Sequence, residues 1–142
     1  MKIVVIDGQG GKLGAQIVTL LKDKISKNNI SGIELIGIGT NALATEAMLK
    51  AKADVVATGE NPVVVCTKDA DIIIGPVGIV IADSLYGEIT PKMAKAVGQS
   101  KAKKLLIPIN KCNNIIVGIN DSSMKEIFIQ IENYIDKFLE NC

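Results

Sequence analysis

Residues 2–25 read KIVVIDGQGGKLGAQIVTLLKDKI and place a strand, a glycine-rich turn and a helix in immediate succession. The run from Lys2 to Asp7 is rich in β-branched residues and is bounded by Gly8, which is typical of a strand buried on both faces of a parallel sheet. From Leu13 to Ile25 the apolar residues recur at helical spacing, so we predict an amphipathic helix there.

The same alternation of strand and helix continues along the rest of the sequence. Further strands are predicted at 33–38, 54–57, 71–74, 105–109 and 115–119, and further helices over 42–51, 77–85, from 91 onward and over 124–138. For 62–68 the alternation favours a helix, but Val63-Val64-Val65 has strand propensity, so both remain open. We therefore predict one doubly wound α/β domain over residues 1–142, with a mainly parallel sheet of five or six strands.

Four polar signals mark where helices begin. Thr40 or Asn41 can cap the second helix. Asn61-Pro62 and Thr90-Pro91 each combine a capping residue with a proline that suits the first helical turn. Ser123 and Glu126 have the spacing of a capping box before the last helix.

The glycine-rich turn after the first strand is the leading candidate for a ligand site. A tight turn with positive φ, a backbone bare enough for a phosphate to approach, and a small residue where helix meets strand all call for glycine. Gly8, Gly11 and Gly14 meet these requirements with a G-x-x-G-x-x-G spacing, and Gly10 adds a further bare amide. The start of the helix also offers free N–H groups and a positive dipole end to an anion. The alternative is that these glycines only allow a tight turn.

The end of the second strand is where a dinucleotide fold usually carries an acid for the adenine ribose. Here Glu34 has the right spacing but lies near the start of that strand. Thr40 and Asn41 stand at the expected place, as ribose contacts or as plain helix caps. The predicted ligand-binding residues are Gly8, Gln9, Gly10, Gly11, Lys12, Leu13, Gly14, Thr40, Asn41, Gly75 and Pro76.

Other polar clusters also follow predicted strands, where ligands of an open α/β sheet bind. Gly75-Pro76-Val77-Gly78 is either one wall of the crevice or a sharp turn. Glu60, Asp83 and Glu88 are candidate general bases if desolvated, and surface or capping carboxylates otherwise. Cys112 beside Lys111 is a candidate reactive thiol, although a loop cysteine without a base is more often inert.

Composition and charge narrow the classes of function. The chain has 142 residues, 48% of them hydrophobic, and 16 Lys+Arg balance 15 Asp+Glu, so neither nucleic acid nor a membrane surface is an expected partner. The absence of histidine excludes mechanisms that need an imidazole and histidine-ligated zinc, and we expect no metal. Three widely spaced cysteines, with no signal-peptide or membrane-helix pattern, predict a cytoplasmic protein.

Two resemblances extend these observations. The GGKLG turn, followed by Ile17-Val18 and Leu20-Leu21, resembles the dinucleotide fingerprint of atypical short-chain dehydrogenases and NmrA-like proteins, which implies a Rossmann-like fold. Over nearly the whole chain, DGQGGKLG, GTNALAT, ATGEN, DIIIGPVGIVIADSLYGEITPKMA and LLIPIN resemble a family of small bacterial proteins classed only as a domain of unknown function. That family implies no activity, substrate or cofactor.

Three functions remain under consideration. The first is binding of a nucleotide or dinucleotide of the NAD or NADP type at Gly8–Gly14, in a sensing or accessory role, with FAD and ATP also open. The second is a small NAD(P)-dependent oxidoreductase, although Tyr86 is followed by Thr90 where a Tyr-x-x-x-Lys pair needs lysine. The third is an oligomeric assembly or regulatory protein without a nucleotide. A homo-oligomer formed through the apolar segment Val77–Leu85 is compatible with each.

Overall fold

A computed structural model describes residues 1–109 and 113–140 and shows a five-stranded, all-parallel sheet in the order β3-β2-β1-β4-β5. This is the Rossmann-like α/β arrangement that the sequence predicts. The elements are β1 (Lys2–Asp7), α1 (Lys12–Lys27), β2 (Glu34–Gly39), α2 (Ala42–Lys50), β3 (Val55–Thr58), α3 (Glu60–Cys66), β4 (Ile72–Pro76), α4 (Pro91–Gln99), β5 (Lys103–Ile107) and α5 (Met124–Glu140).

Helices cover both faces of the sheet, and β1 at its centre is buried on both. Ile3 and Val5 pack with α1, α2 and α5 in one apolar cluster. Val4 and Ile6 pack with α3 and α4 in a second cluster on the opposite face. This alternation explains why the continuous β-branched run of β1 forms a central strand. None of the helices within residues 1–109 and 113–140 is long and apolar enough to cross a membrane.

Most predicted helix starts are confirmed. The Asn41 side chain caps α2, Thr90 caps α4, and Ser123 and Glu126 exchange the two hydrogen bonds of a capping box. For residues 62–68, where both helix and strand remained open, the structure has a helix, since α3 covers Glu60–Cys66. Its cap is Gly59 rather than Asn61, because α3 begins two residues before Pro62.

The helix predicted over 77–85 is wrong. Only a short 3₁₀ turn, Val77–Val80, is present, and it is followed by a segment that we call the strap, residues 81–89. In the strap, Asp83, Leu85 and Tyr86 adopt positive φ angles of 62°, 54° and 57°, which a right-handed helix cannot contain. Two of the apolar side chains that motivated a homo-oligomer here, Ile79 and Leu85, are buried within the chain itself, whereas Val77, Val80 and Ile81 are partly exposed. Oligomerisation remains a prediction.

The sixth strand predicted at 115–119 is also wrong. Ile115 and Val117 are 89% and 92% exposed, and Gly118 has a φ of 86°, which takes the backbone out of the extended region. The β-branched run has strand propensity, but no strand within residues 1–109 and 113–140 pairs with it.

Candidate functional site

The glycine-rich turn joins β1 to α1 through a tight loop in which Gly11 N–H donates to Gly8 C=O at 2.9 Å. The two left-handed positions of the turn are Gln9 (φ 51°) and Gly11 (φ 73°). Gln9, Gly11 and Gly14 therefore hold the three places of the G-x-G-x-x-G spacing, with Gln9 in the first. This register differs from the Gly8-Gly11-Gly14 spacing seen in the sequence.

Gly8 and Gly14 are required for a different reason, which is space. A Cβ on Gly8 would lie 2.5 Å from Glu88 Oε2 and 2.7 Å from Thr40 Oγ1. A Cβ on Gly14 would lie 2.7 Å from Asp7 Cβ. By contrast, a Cβ on Gly10 would meet no atom within 4 Å, so Gly10 is the glycine of this turn that faces open space.

Three backbone N–H groups of the turn and of the first turn of α1, those of Gly10, Lys12 and Leu13, have no acceptor among residues 1–109 and 113–140. These residues line a cavity of about 340 Å³, which is completed by Gln16, Ile109 and Met124. The 16-residue α1 has no acidic residue in its first turn, and the exposed Lys12 adds a positive charge. The arrangement suits an anion, because free amides and the positive end of a helix dipole converge there.

Asp7 supports the turn from below. Its buried carboxylate accepts from Gly8 N–H at 2.8 Å and from Gly14 N–H at 2.6 Å. Burial raises the pKa of Asp7, the bonds from Gly14 and Gly8 oppose that rise, and the nearby charge of Glu88 adds to it. Asp7 therefore uses up two amides of the turn and fixes its shape.

Glu88, from the strap, lies against the same turn from the other side. Its Oε2 accepts from Gln9 N–H at 2.8 Å and from Thr40 Oγ1 at 2.5 Å, and Asn41 Nδ2 donates to both carboxylate oxygens at 3.2 and 3.3 Å. Burial raises the pKa of Glu88, but the hydrogen bonds from Thr40, Gln9 and Asn41 outweigh it, so the pKa is lowered. Glu88 is therefore an ionised, internally bonded carboxylate.

Thr40 and Asn41, the residues predicted to bind at the end of β2, form hydrogen bonds with other residues of the chain. Asn41 Oδ1 accepts from Ala44 N–H at 2.9 Å as a helix cap, and its Nδ2 donates to Gln9 C=O at 2.9 Å as well as to Glu88. Their role in ribose binding stays a prediction. Gly75 and Pro76 are the buried last residues of β4 and do not line the cavity beside α1.

The remaining candidates have structural partners or lie elsewhere. Glu60 accepts from Thr90 Oγ1 at 2.6 Å and lies 3.7 Å from Lys92 Nζ, so it joins α3 to α4. Asp83 is exposed on the strap. Lys111 and Cys112 lie outside the described residues. Within the part of the chain that the structure describes, no three acidic or thiol groups come together as metal ligands.

The fold and turn define a class, a Rossmann-like α/β domain with a glycine-rich turn between β1 and α1. The chain belongs to the family described as domain of unknown function (DUF3842), whose model matches residues 2–142. No curated protein and no solved structure shows a significant match.

The roles of Asp7 and Glu88 in shaping the turn were not predicted from the sequence. Asp7 is the last residue of the apolar strand, and a buried acid directly before the glycine turn is a signal that could have identified it. Glu88 lies 79 residues from Gln9. Its contact depends on the sheet order, which places the segment after β4 beside the turn after β1.

Proposed function

We propose that this protein binds the phosphate group of a nucleotide-type ligand at the turn between β1 and α1. The observation that supports this most is the set of free amides of Gly10, Lys12 and Leu13 lining one cavity. Phosphate oxygens are strong acceptors, and a helix N-terminus binds them without further residues. The Lys12 ammonium adds a mobile positive charge beside them.

The position in the fold supports the same proposal. Ligands of an open α/β sheet bind outside the carboxyl ends of the strands, where the strand order reverses. Here that point lies between β1 and β4, since β1 pairs with β2 on one side and β4 on the other. The cavity lies beside the end of β1 and is lined on one side by Ile109, which follows β5. The role that we propose is sensing or accessory, and NAD and NADP are tested as ligands beside mononucleotides.

Calorimetric titration tests the proposal with AMP, ATP, NAD, NADP and inorganic phosphate at low salt. In Gly10→Ala the added methyl group meets no protein atom but narrows the approach to the amides, so we expect binding to weaken by about tenfold. Gly98→Ala is the matched control, because Gly98 is equally uncrowded but lies on α4. Equal affinities of the two variants for these ligands would contradict phosphate binding at the turn between β1 and α1.

A second pair of variants tests the charge. Lys12→Gln removes the ammonium at the start of α1, and Lys27→Gln removes one at the end of the same helix. We expect Lys12→Gln to weaken phosphate binding by about threefold to tenfold and Lys27→Gln to leave it unchanged. Wild-type protein that binds none of the ligands at millimolar concentration would overturn the proposed function.

A further inference from the structure

The strap lies over the carboxyl ends of β1 and β2, where Glu88 accepts hydrogen bonds from Gln9, Thr40 and Asn41. Within the segment, Ser84 Oγ donates to Gly78 C=O at 2.5 Å and Asp83 N–H donates to Ile89 C=O at 2.8 Å, which fixes its shape. The side chain of Leu85 is 2% exposed, and its Cδ1 lies 3.0 Å from where a Cβ on Gly8 would be. The strap is therefore packed against the glycine turn.

The backbone of the strap is strained in order to reach this position. Leu85, Tyr86 and Gly87 are three consecutive left-handed residues, with φ angles of 54°, 57° and 84°. Only the third is glycine, and left-handed conformations are unfavourable for the other two. Such strain persists only where surrounding contacts over-determine it. Here those contacts are the burial of Leu85 and the hydrogen bonds that Glu88 accepts.

Glu88 fills a place that matters for ligand choice. In dinucleotide-binding folds, the adenosine ribose lies at the end of the second strand beside the glycine turn. In this chain the groups at that place, Thr40 Oγ1, Asn41 Nδ2 and Gln9 N–H, all donate to the Glu88 carboxylate. The crevice over β1 and β2 is closed by the protein itself.

The open side of the phosphate site is the cavity toward Ile109 and Met124. Its volume of about 340 Å³ is near the lower end of the range for small-molecule sites, about 300–1,000 Å³. A dinucleotide carries an organic substituent on each side of its pyrophosphate, and one of the two would have to extend toward Glu88. A phosphate monoester carries only one substituent, which can extend into the open side of the cavity.

We propose that Glu88 determines ligand specificity, so that the site takes a phosphate monoester with a single organic substituent and excludes dinucleotides. This inference rests on the proposed function. Glu88 acts by occupying the ribose position and by accepting hydrogen bonds from the hydroxyl, amide and N–H donors that a ribose would otherwise use. Removing its carboxylate frees both the volume and the donors.

The test compares AMP, nicotinamide mononucleotide and NAD, because NAD joins the two mononucleotides. Calorimetry on the wild-type protein is expected to give at least tenfold tighter binding of a mononucleotide than of NAD. In Glu88→Ala this ratio should fall by tenfold or more. Glu88→Gln keeps the side-chain volume and a carbonyl acceptor, so it should retain the wild-type ratio. Glu60→Ala is the matched control, a carboxylate that bonds Thr90 rather than the turn.

The outcomes separate the inference from the proposed function. Wild-type binding of NAD as tight as that of the mononucleotides overturns the inference and leaves phosphate binding standing. A folded Glu88→Ala variant with an unchanged ratio also overturns it. If Glu88→Ala does not fold, the wild-type ratio and Glu88→Gln decide. Failure of all three ligands and of inorganic phosphate to bind overturns the proposed function, and the inference with it.

Discussion

Two carboxylates whose pKa values are shifted in opposite directions accept hydrogen bonds from the glycine turn. Asp7 is buried beneath it with a raised pKa, whereas Glu88 lies above it with a lowered pKa because its hydrogen bonds outweigh its burial. A group whose folded pKa is lowered stabilises the fold above its ordinary pKa, and this stabilisation is lost as pH falls through the folded value. A group whose folded pKa is raised stabilises the fold below its ordinary pKa, and this stabilisation is lost as pH rises through the folded value.

We therefore expect Glu88→Gln to cost most stability near neutral pH, and the difference from wild type to shrink as the pH falls through the acidic range. Urea unfolding followed by circular dichroism between pH 3 and 7, about the range in which carboxylates titrate, measures it. A difference that grows on acidification would contradict the bonded, ionised state of Glu88.

For Asp7→Asn we expect the opposite slope. The raised pKa of Asp7 means that wild type loses stability relative to the variant as pH rises through the range where Asp7 ionises. The same unfolding series measures it, and the two variants control for each other because their slopes differ in sign. Parallel slopes would show that one of the two environments is different from that described.

Residue-scale features were only partly predictable. The glycine turn was visible because glycines between a strand and an amphipathic helix form a local pattern. The left-handed Gln9 was not visible, because nothing in its residue type favours positive φ. The contact between Glu88 and Thr40 joins residues 48 apart and needs the folded sheet.

At the scale of elements, the caps show how local chemistry defines a helix. Thr90 Oγ1 accepts from Met93 N–H at 3.1 Å and donates to Glu60 at 2.6 Å, so one hydroxyl both starts α4 and joins it to α3. Thr90→Ala should destabilise the protein by about 1 kcal/mol or slightly more. Thr90→Ser keeps the hydroxyl and should recover most of the loss in chemical denaturation. Equal losses in the two variants would exclude the cap as the cause.

Helices and strands were predicted well where the pattern is local. β1 begins and ends as predicted, and α4 follows its threonine-proline signal. The helix predicted over 77–85 and the strand predicted at 115–119 were wrong. Apolar and β-branched composition alone does not distinguish a helix or strand from an irregular segment that is buried or exposed. In the strap, tertiary contacts outweigh local preference.

For the whole molecule, we expect the central strands, which are buried on both faces, to contribute most to stability. Ile73 on β4 is fully buried, whereas Ile115 is 89% exposed. Ile73→Ala should cost about 2–5 kcal/mol, and Ile115→Ala should change the free energy of unfolding by less than about 0.5 kcal/mol. Urea denaturation of the two variants compares them directly. A large cost for Ile115→Ala would restore the sixth strand that the sequence predicts.

Right-handed crossovers restrict how parallel strands are connected, but they do not determine the order of the strands, which could not be predicted from the sequence. β1 and β4 are both continuous apolar runs and both lie inside the sheet. β5 carries two lysines at its start and lies at an edge. Charged residues are typical of edge strands, so this part of the topology has a sequence signal.

The bond between Gln9 N–H and Glu88 makes one backbone amide a reporter of motion. The Gln9 side of the turn is exposed, so this proton exchanges with solvent whenever the strap lifts. Its hydrogen-exchange rate, compared with that of the amide of the next residue, Gly10, which has no acceptor within residues 1–109 and 113–140, gives the fraction of time the strap is open. In Glu88→Ala the two amides should exchange alike. The ligand-free protein thus carries its own readout of how often the β1–β2 crevice becomes accessible.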